Sequence, residues 1–256
     1  EGVSLTDKTG FRRVALKLEE TLCAKSPTKV SPKPPASSSQ APKREPQVLI
    51  NEPLDFELKG LDHAHPYLPR RGFTAKTIAY FGLGVASRGS FKDRLAIPLH
   101  VRNGLVGYAG RVINDAAIPA DNPRYRFPSN RVRNGVCHEF RKDLFLYNGQ
   151  RLTRPVKELA VVEGFTGVWW LHQHGFAETV ATMGTDCSGE QARLIVSSVE
   201  PNGCVWVLSD GDAAGRQHPQ SVLLQVSPPR FVRSAPLPEN KQPTDLSALE
   251  LASLLS

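Results

Sequence analysis

The chain has 256 residues, 40% of them hydrophobic, with 32 Lys and Arg against 25 Asp and Glu and a net charge of +7. It is long and apolar enough to bury a core as one large or two small domains, which excludes a wholly disordered polypeptide. No stretch approaches the roughly 18 apolar residues of a membrane span, no secretion signal opens the chain, and the four cysteines (Cys23, Cys137, Cys187, Cys204) form no CxxC pair, which excludes a zinc finger or disulfide framework and fits a reducing, cytoplasmic setting.

In chain order, residues 1–24 carry Val3, Leu5, Phe11, Val14, Leu18 and Leu22 at the spacing of a short amphipathic helix, too little to form a core, and read as the remnant of an upstream helix. Residues 25–47 hold six prolines, many serines and five basic groups against one acid, the composition of a semi-extended, disordered linker. Residues 48–157 form a basic subdomain. In it a helix is expected from about Thr74 to Phe81, capped by Thr74 and stopped by Gly82, after a helical turn near Tyr67 to Arg71. RLAIPLHVRNGLVGYAGRVI reads as a hairpin: strand Leu95 to Leu99, turn at Asn103-Gly104, return strand Leu105 to Ile113. Asn114 to Glu139 reads as loop.

From residue 158 the pattern changes. Short β runs at Leu159 to Val162, Thr179 to Thr182, Val205 to Leu208 and Phe231 to Ser234 alternate with helices over Val168 to His174, Ser188 to Ser197 and from about Ala213, which implies βαβ units and a parallel sheet. The charge is split along the same line. Residues 102–157 carry eleven basic groups against four acids, and residues 158–256 carry five against eleven, so a +7 track precedes a −6 module.

Two strands of that module end in acid: LAVVEGF in Glu163-Gly164, and VWVLSDGDAAG in Asp210-Gly211-Asp212. Ligands of open parallel sheets gather at the C-terminal strand ends. If these strands are neighbours, Glu163, Asp210 and Asp212 converge, and three carboxylates that close call for a hard cation such as Mg²⁺ or Mn²⁺. An EF-hand loop starting at Asp210 fails at its fifth and twelfth ligand positions, where Ala214 and Ser221 stand. An aspartyl nucleophile has nothing beyond the DxD to support it. A solvated acidic turn explains a lone DGD, but not its pairing with Glu163-Gly164. His172 and His174, two apart on a helix, point to different faces and read as packing or surface groups. At least one of Trp169 and Trp170 is expected in the core, and Cys187 and Cys204 as small buried residues.

The combination of an apolar run ending in EG and another ending in DxDxxG resembles the Toprim module, and the wider sequence resembles bacterial DnaG-type primases from about residue 54 to 250. HPYLPRRGFTAKTIAYFGLG, the GRV element of the hairpin, PRYRFPSN, FRKDLFLYN, VEGFTGV, VATMGT, DGDAAGR and LPENKQPTDL each match a primase element in order, and EGVSL with LEETL is similar to the helix closing the primase zinc domain. The resemblance implies an α/β fold, a Toprim parallel-sheet βαβ module preceded by a basic mixed α+β subdomain. It implies synthesis of short RNA primers on single-stranded DNA from ribonucleoside triphosphates, with a replicative helicase as further partner and zinc only in an upstream module. Glu163, Asp210 and Asp212 would hold Mg²⁺ or Mn²⁺, and Glu163 would hold it or accept the 3′-hydroxyl proton. Arg111, Arg124 and Lys142 match basic family positions, Arg126 and Arg141 are extra cations beside them, and Tyr125 or Phe127 would stack on a base. The chain departs from the family at Gly167, Gln242 and Thr244, where acids are expected, and Asp245, one residue out of register, is the candidate substitute. A Toprim nuclease and a non-catalytic nucleic-acid-binding relative are the alternatives.

Overall fold

The computed structural model describes residues 47–114, 123–211 and 217–256, all within one compact unit. The segment 1–24, all but the last residue of the expected linker, and Asp212 lie outside the described residues. Two short strands, β1 (Val48–Ile50) and β2 (Leu61–Asp62), precede helix α1 (Ala75–Phe81). The helix runs as expected: the Thr74 hydroxyl accepts from the Thr77 N–H, and Gly82, left-handed at φ 64°, ends it. The expected turn before it is a single 3₁₀ turn over Pro69–Arg71.

β3 (Gly84–Ala86) leads into the hairpin of β4 (Arg94–Val101) and β5 (Gly104–Val112), and with β2 and β6 (Tyr125–Arg126) these build a five-stranded antiparallel sheet in the order β2-β3-β4-β5-β6. The hairpin turn falls one residue earlier than expected. Val101 pairs with Gly104, so the loop is Arg102-Asn103, and Gly104 (φ 137°) already belongs to the return strand in a conformation open to glycine.

The stretch expected as loop holds three strands. Besides β6 it contains β7 (Arg131–Arg133) and β8 (Val136–Glu139), joined by Asn134-Gly135 with φ 53° and 76°, the two positive φ values a tight hairpin turn requires. β8 also pairs in parallel with β1, giving a second sheet in the order β1-β8-β7. Arg131, Val132 and Arg133 are all exposed, so β7 carries no inside-outside alternation to announce it.

The C-terminal part alternates as the sequence predicts: β9 (Val156–Val162), α2 (Phe165–Gln173), β10 (Thr179–Ala181), α3 (Gly189–Ser198), β11 (Val199–Ser209), α4 (Gln217–Val226), β12 (Phe231–Pro236) and α5 (Ala248–Leu254). The four strands are parallel in the order β10-β9-β11-β12. Alternate residues serve opposite faces. Leu159, Val161, Val205 and Val207 pack with Ile195 of α3 and Val222 of α4, whereas Ala160, Val162, Trp206 and Leu208 join Trp169 of α2. That second cluster continues into Phe73, Phe81, Leu95 and Ile97, so one core holds side chains from both sides of residue 157. Trp169 is fully buried and Trp170 partly so; Cys187 is buried, and Cys204 is only half-buried. Among the described residues no helix is long and apolar enough to cross a membrane.

Candidate active site at the sheet switch point

The chain leaves β9 toward β10 on one side and returns to β11 on the other, so the strand order reverses between β9 and β11. In open parallel sheets that reversal opens a crevice at the C-terminal strand ends. Here it lies between the two strands that end in acid. β9 and β11 are hydrogen-bonded neighbours with Val161 paired to Val207. Carrying that register on by two residues sets Glu163 beside Ser209, with Asp210 next, across the roughly 4.8 Å that separates adjacent strands. Both acids are half-buried. Glu163 is followed by Gly164, which caps α2 in an extended conformation (φ −125°, ψ 169°). Among the described residues no three His, Cys, Asp or Glu groups lie close enough to hold a metal; Asp212, the third expected acid, is not among them.

Gly211 is fixed by close approach. Its N–H donates to the Lys241 carbonyl (2.8 Å), its carbonyl accepts from the Asn240 N–H (3.0 Å), and a Cβ would fall 1.9 Å from the Pro238 oxygen. The 238–241 turn thus sits directly on the D-G-D turn. Beyond it, Asp245 is exposed and its carboxylate accepts from the Gln242 N–H at 2.8 Å, closing a 3₁₀ turn over Pro243–Asp245. Gly167 is buried in α2 against β9: a Cβ there would lie 3.2 Å from Val162 Cβ and Cγ2.

Two of the expected cations contact residues linked to the ends of β9 and β10: Tyr125, which packs on Phe165, and Met183. Arg111 is buried, its Nε donating to the Tyr125 hydroxyl (3.2 Å) and its Nη1 to the Val112 carbonyl (3.1 Å), with the guanidinium over the Tyr67 and Tyr125 rings. Lys142 is exposed, donates from Nζ to the Met183 carbonyl at 2.8 Å and lies 5.2 Å from the Phe127 ring centre. Tyr125 and Phe127 pack against Phe165 at 5.5 and 6.1 Å, so both rings expected to stack on a base are engaged with the first residue of α2. Burial raises the Tyr125 phenol, and the Arg111 charge beside it opposes that rise.

The other three cations differ. Arg124 is exposed just before β6. Arg126 pairs with Gly110, whereas Tyr125 pairs with Arg111, so Arg126 stands on the opposite face of the sheet, its Nη1 3.5 Å from the Ser90 carbonyl. Arg141 makes a two-pronged pair with Asp143 (2.9 and 2.6 Å), which raises the guanidinium pKa and lowers that of the carboxyl. His172, as expected of a packing group, stacks on Tyr80 at 4.1 Å.

A buried polar network beside the crevice has no counterpart in the sequence reading. Met183, left-handed at φ 62° and buried, offers Lys142 its carbonyl just past β10. Its neighbour Thr182 is held twice: Gln191 Nε2 donates to its carbonyl at 2.9 Å and to Phe145 O at 3.1 Å, and His218 Nε2 lies 2.9 Å from its hydroxyl. Gln191 also closes the capping box with Ser188 that opens α3, where the sequence predicted only a helix over Ser188 to Ser197.

No protein-family model matches the chain. The DNA primase of Pseudomonas aeruginosa is 29% identical over 208 residues and that of Pseudomonas putida 32% over 208, each match covering 77% of this chain and 30% of the relative. The chain therefore spans under a third of the length of these curated relatives. A solved DNA primase domain from Pseudomonas aeruginosa superposes with a TM-score of 0.57 at 27% identity, over 73% of this chain and 67% of that one. This chain carries a DnaG-type primase core. The primase core shares its fold with a DnaG catalytic domain solved bound to ssDNA, at a TM-score of 0.61 and 24% identity over 75% of this chain and 70% of that one. The expected architecture, a parallel βαβ module after a mixed subdomain, is the one the primase core has.

Proposed function

We propose that this core joins ribonucleotides into short RNA primers on a single-stranded DNA template by metal-assisted nucleotidyl transfer. The observation that supports the reading is the neighbouring of β9 and β11 at the switch point of the sheet, since these are the two strands that run out into Glu163 and Asp210. Glu163 and Asp210, with Asp212 next along the chain, offer an all-oxygen donor set that suits Mg²⁺ or Mn²⁺, and Asp245 is a further candidate. A divalent ion held there would neutralise charge on the transferring phosphoryl group.

The protein's own groups then have distinct tasks. Glu163, one residue past β9, is placed to take the proton of an attacking 3′-hydroxyl. Lys142 uses one ammonium hydrogen on Met183 and keeps two for phosphate oxygens. Arg111, buried and immobile, adds a fixed positive field without needing to touch the strand. Arg124 extends that field at the surface. The reading requires single-stranded DNA and ribonucleoside triphosphates as partners and a cytoplasmic setting, with a replicative helicase as a further partner.

The test is incubation of the chain with single-stranded DNA, labelled ribonucleotides and Mn²⁺, beside Asp210→Ala. Oligoribonucleotides that vanish in the variant support the reading. Template cleavage would replace it with a nuclease, and DNA binding without either product would replace it with a binding protein.

A further inference from the structure

A 3₁₀ turn over Lys142–Leu144 carries the lysine whose ammonium meets the Met183 carbonyl. Its flanks are fixed on both sides. Upstream, the Asn51 side chain exchanges two hydrogen bonds with the Arg141 backbone, each 2.8 Å; downstream, Tyr147 and Ala181 exchange N–H and carbonyl at 3.0 and 3.2 Å at the end of β10. The turn between them is gripped from the start of α3. Ser188 Oγ donates to the Asp143 carbonyl, and Gln191 Nε2 donates to the Phe145 carbonyl at 3.1 Å and the Lys142 carbonyl at 3.3 Å.

Gln191 is 2% exposed, a setting in which an apolar side chain would pack without the cost of desolvating an amide. That amide is divided between two tasks. Its Oε1 accepts from the Ser188 N–H at 3.1 Å and completes the cap of α3, a task that glutamate performs as well. Its Nε2 does nothing for the helix: the two hydrogens face three carbonyls, of which Thr182 at 2.9 Å is the nearest. Those carbonyls come from both pieces of chain that the Lys142 side chain joins. One is Lys142's own, and another belongs to the residue before Met183, the acceptor of its ammonium. Root and tip of the lysine are thus referred to a single amide. Met183 sits at φ 62°, a conformation that a residue with a Cβ keeps only where its surroundings dictate it, and Gln191 holds its neighbour. On the far side a Cβ at Gly184 would lie 3.1 Å from Lys142 Nζ, so the ammonium is closely bounded there too.

We infer that Gln191, assisted by Ser188, is a positioning residue for Lys142, fixing its ammonium before any phosphate arrives. A lysine stem gives up much rotamer freedom when it binds, and one already held gives up less. The consequence for binding rests on the reading of Lys142 as a phosphate contact; the positioning itself does not.

Two measurements on the full chain test it. The first is acetylation of lysines by acetic anhydride without nucleic acid, read by peptide mass spectrometry against the exposed Lys76 and Lys92. Gln191→Met should raise the relative reactivity of Lys142 severalfold. The second is affinity for labelled single-stranded DNA across a salt series: Gln191→Met should lose most of the slope of about 0.7 that Lys142→Gln loses, and the double variant should lose no more than Lys142→Gln alone. Ile195→Ala, which opens a cavity under the same helix, should lower the thermal midpoint and move neither readout. If Gln191→Met does not fold, Ser188→Ala takes its place, with a rise in Lys142 reactivity again expected. Unchanged Lys142 reactivity in the folded variant, an equal rise in Ile195→Ala, or additive losses of slope would each overturn the inference. A flat response to Lys142→Gln itself would instead remove the phosphate contact and leave the reactivity to decide the positioning.

Discussion

His218 gives its Nε2 proton to Thr182, 2.9 Å away, because the Thr182 hydroxyl uses its only hydrogen on the Gly184 carbonyl at 2.8 Å. The pair bolts the start of α4, just past the D-G-D turn, to the turn that receives Lys142. His218 is fully buried, and its Nδ1 finds no partner among the described residues.

Burial pushes this imidazole down to about 4, so the folded chain keeps it neutral while the unfolded chain protonates it near its ordinary value of about 6.5. Its contribution is complete above pH 6.5 and is lost as pH falls from there toward 4, about 3 kcal/mol in all. Denaturant titration between pH 7 and pH 4.5 should show stability falling with pH, with a shallower fall in His218→Leu. Thr182→Val, which strands the buried N–H, should cost about 1–3 kcal/mol, and the double variant less than the sum of the singles.

Gly211→Ala should destabilise the chain by at least about 2 kcal/mol, since the added Cβ meets the Pro238 carbonyl rather than a movable side chain. Urea unfolding at neutral pH measures it. Gly164→Ala, where a Cβ meets nothing within 4 Å, is the sterically open control and should cost less, through the weaker helix cap alone.

Restoring the family's acid by Gly167→Asp should not raise activity. The new Cβ presses on Val162, and an overpacked helix contact costs about 1 kcal/mol or more. Val162→Ala in the same chain should recover part of that loss, read as a less-than-additive change in unfolding midpoint.

Lys142→Gln should weaken single-stranded DNA binding and reduce the slope of log affinity against log salt by about 0.7, the value for one lost phosphate contact on a single strand. Arg141→Gln should change that slope less, because its guanidinium is already paired with Asp143. Affinity measured across a salt series separates the two.

The parallel sheet and its two acid-ended strands were legible because buried strands write themselves as apolar runs, and Glu163-Gly164 and Asp210-Gly211 interrupt those runs abruptly. α1 was legible to the residue through Thr74 and Gly82. The sheet of β1, β7 and β8 was not: its strands are short and at most half-buried, and Val48 meets Cys137 only through folding. The same blindness mixed the cations. Arg111 and Arg126 look alike in sequence, and only the pairing of Arg111 with Tyr125 and of Gly110 with Arg126 shows that they serve opposite faces. The union of Thr182 with His218, 36 residues apart, leaves no trace in local pattern.

The shared core has a consequence for dissecting the molecule. Phe73 and Phe81 of the basic half touch Trp169 of the acidic half edge-on or tilted, and Phe81 stacks with Tyr147. A cut between Lys157 and Glu158 would strip β9 of its first residues and leave each piece with half of a continuous apolar interior facing water. Neither piece is expected to remain monomeric when expressed alone, whereas co-expressed pieces should reassemble, because the surfaces they expose are already complementary.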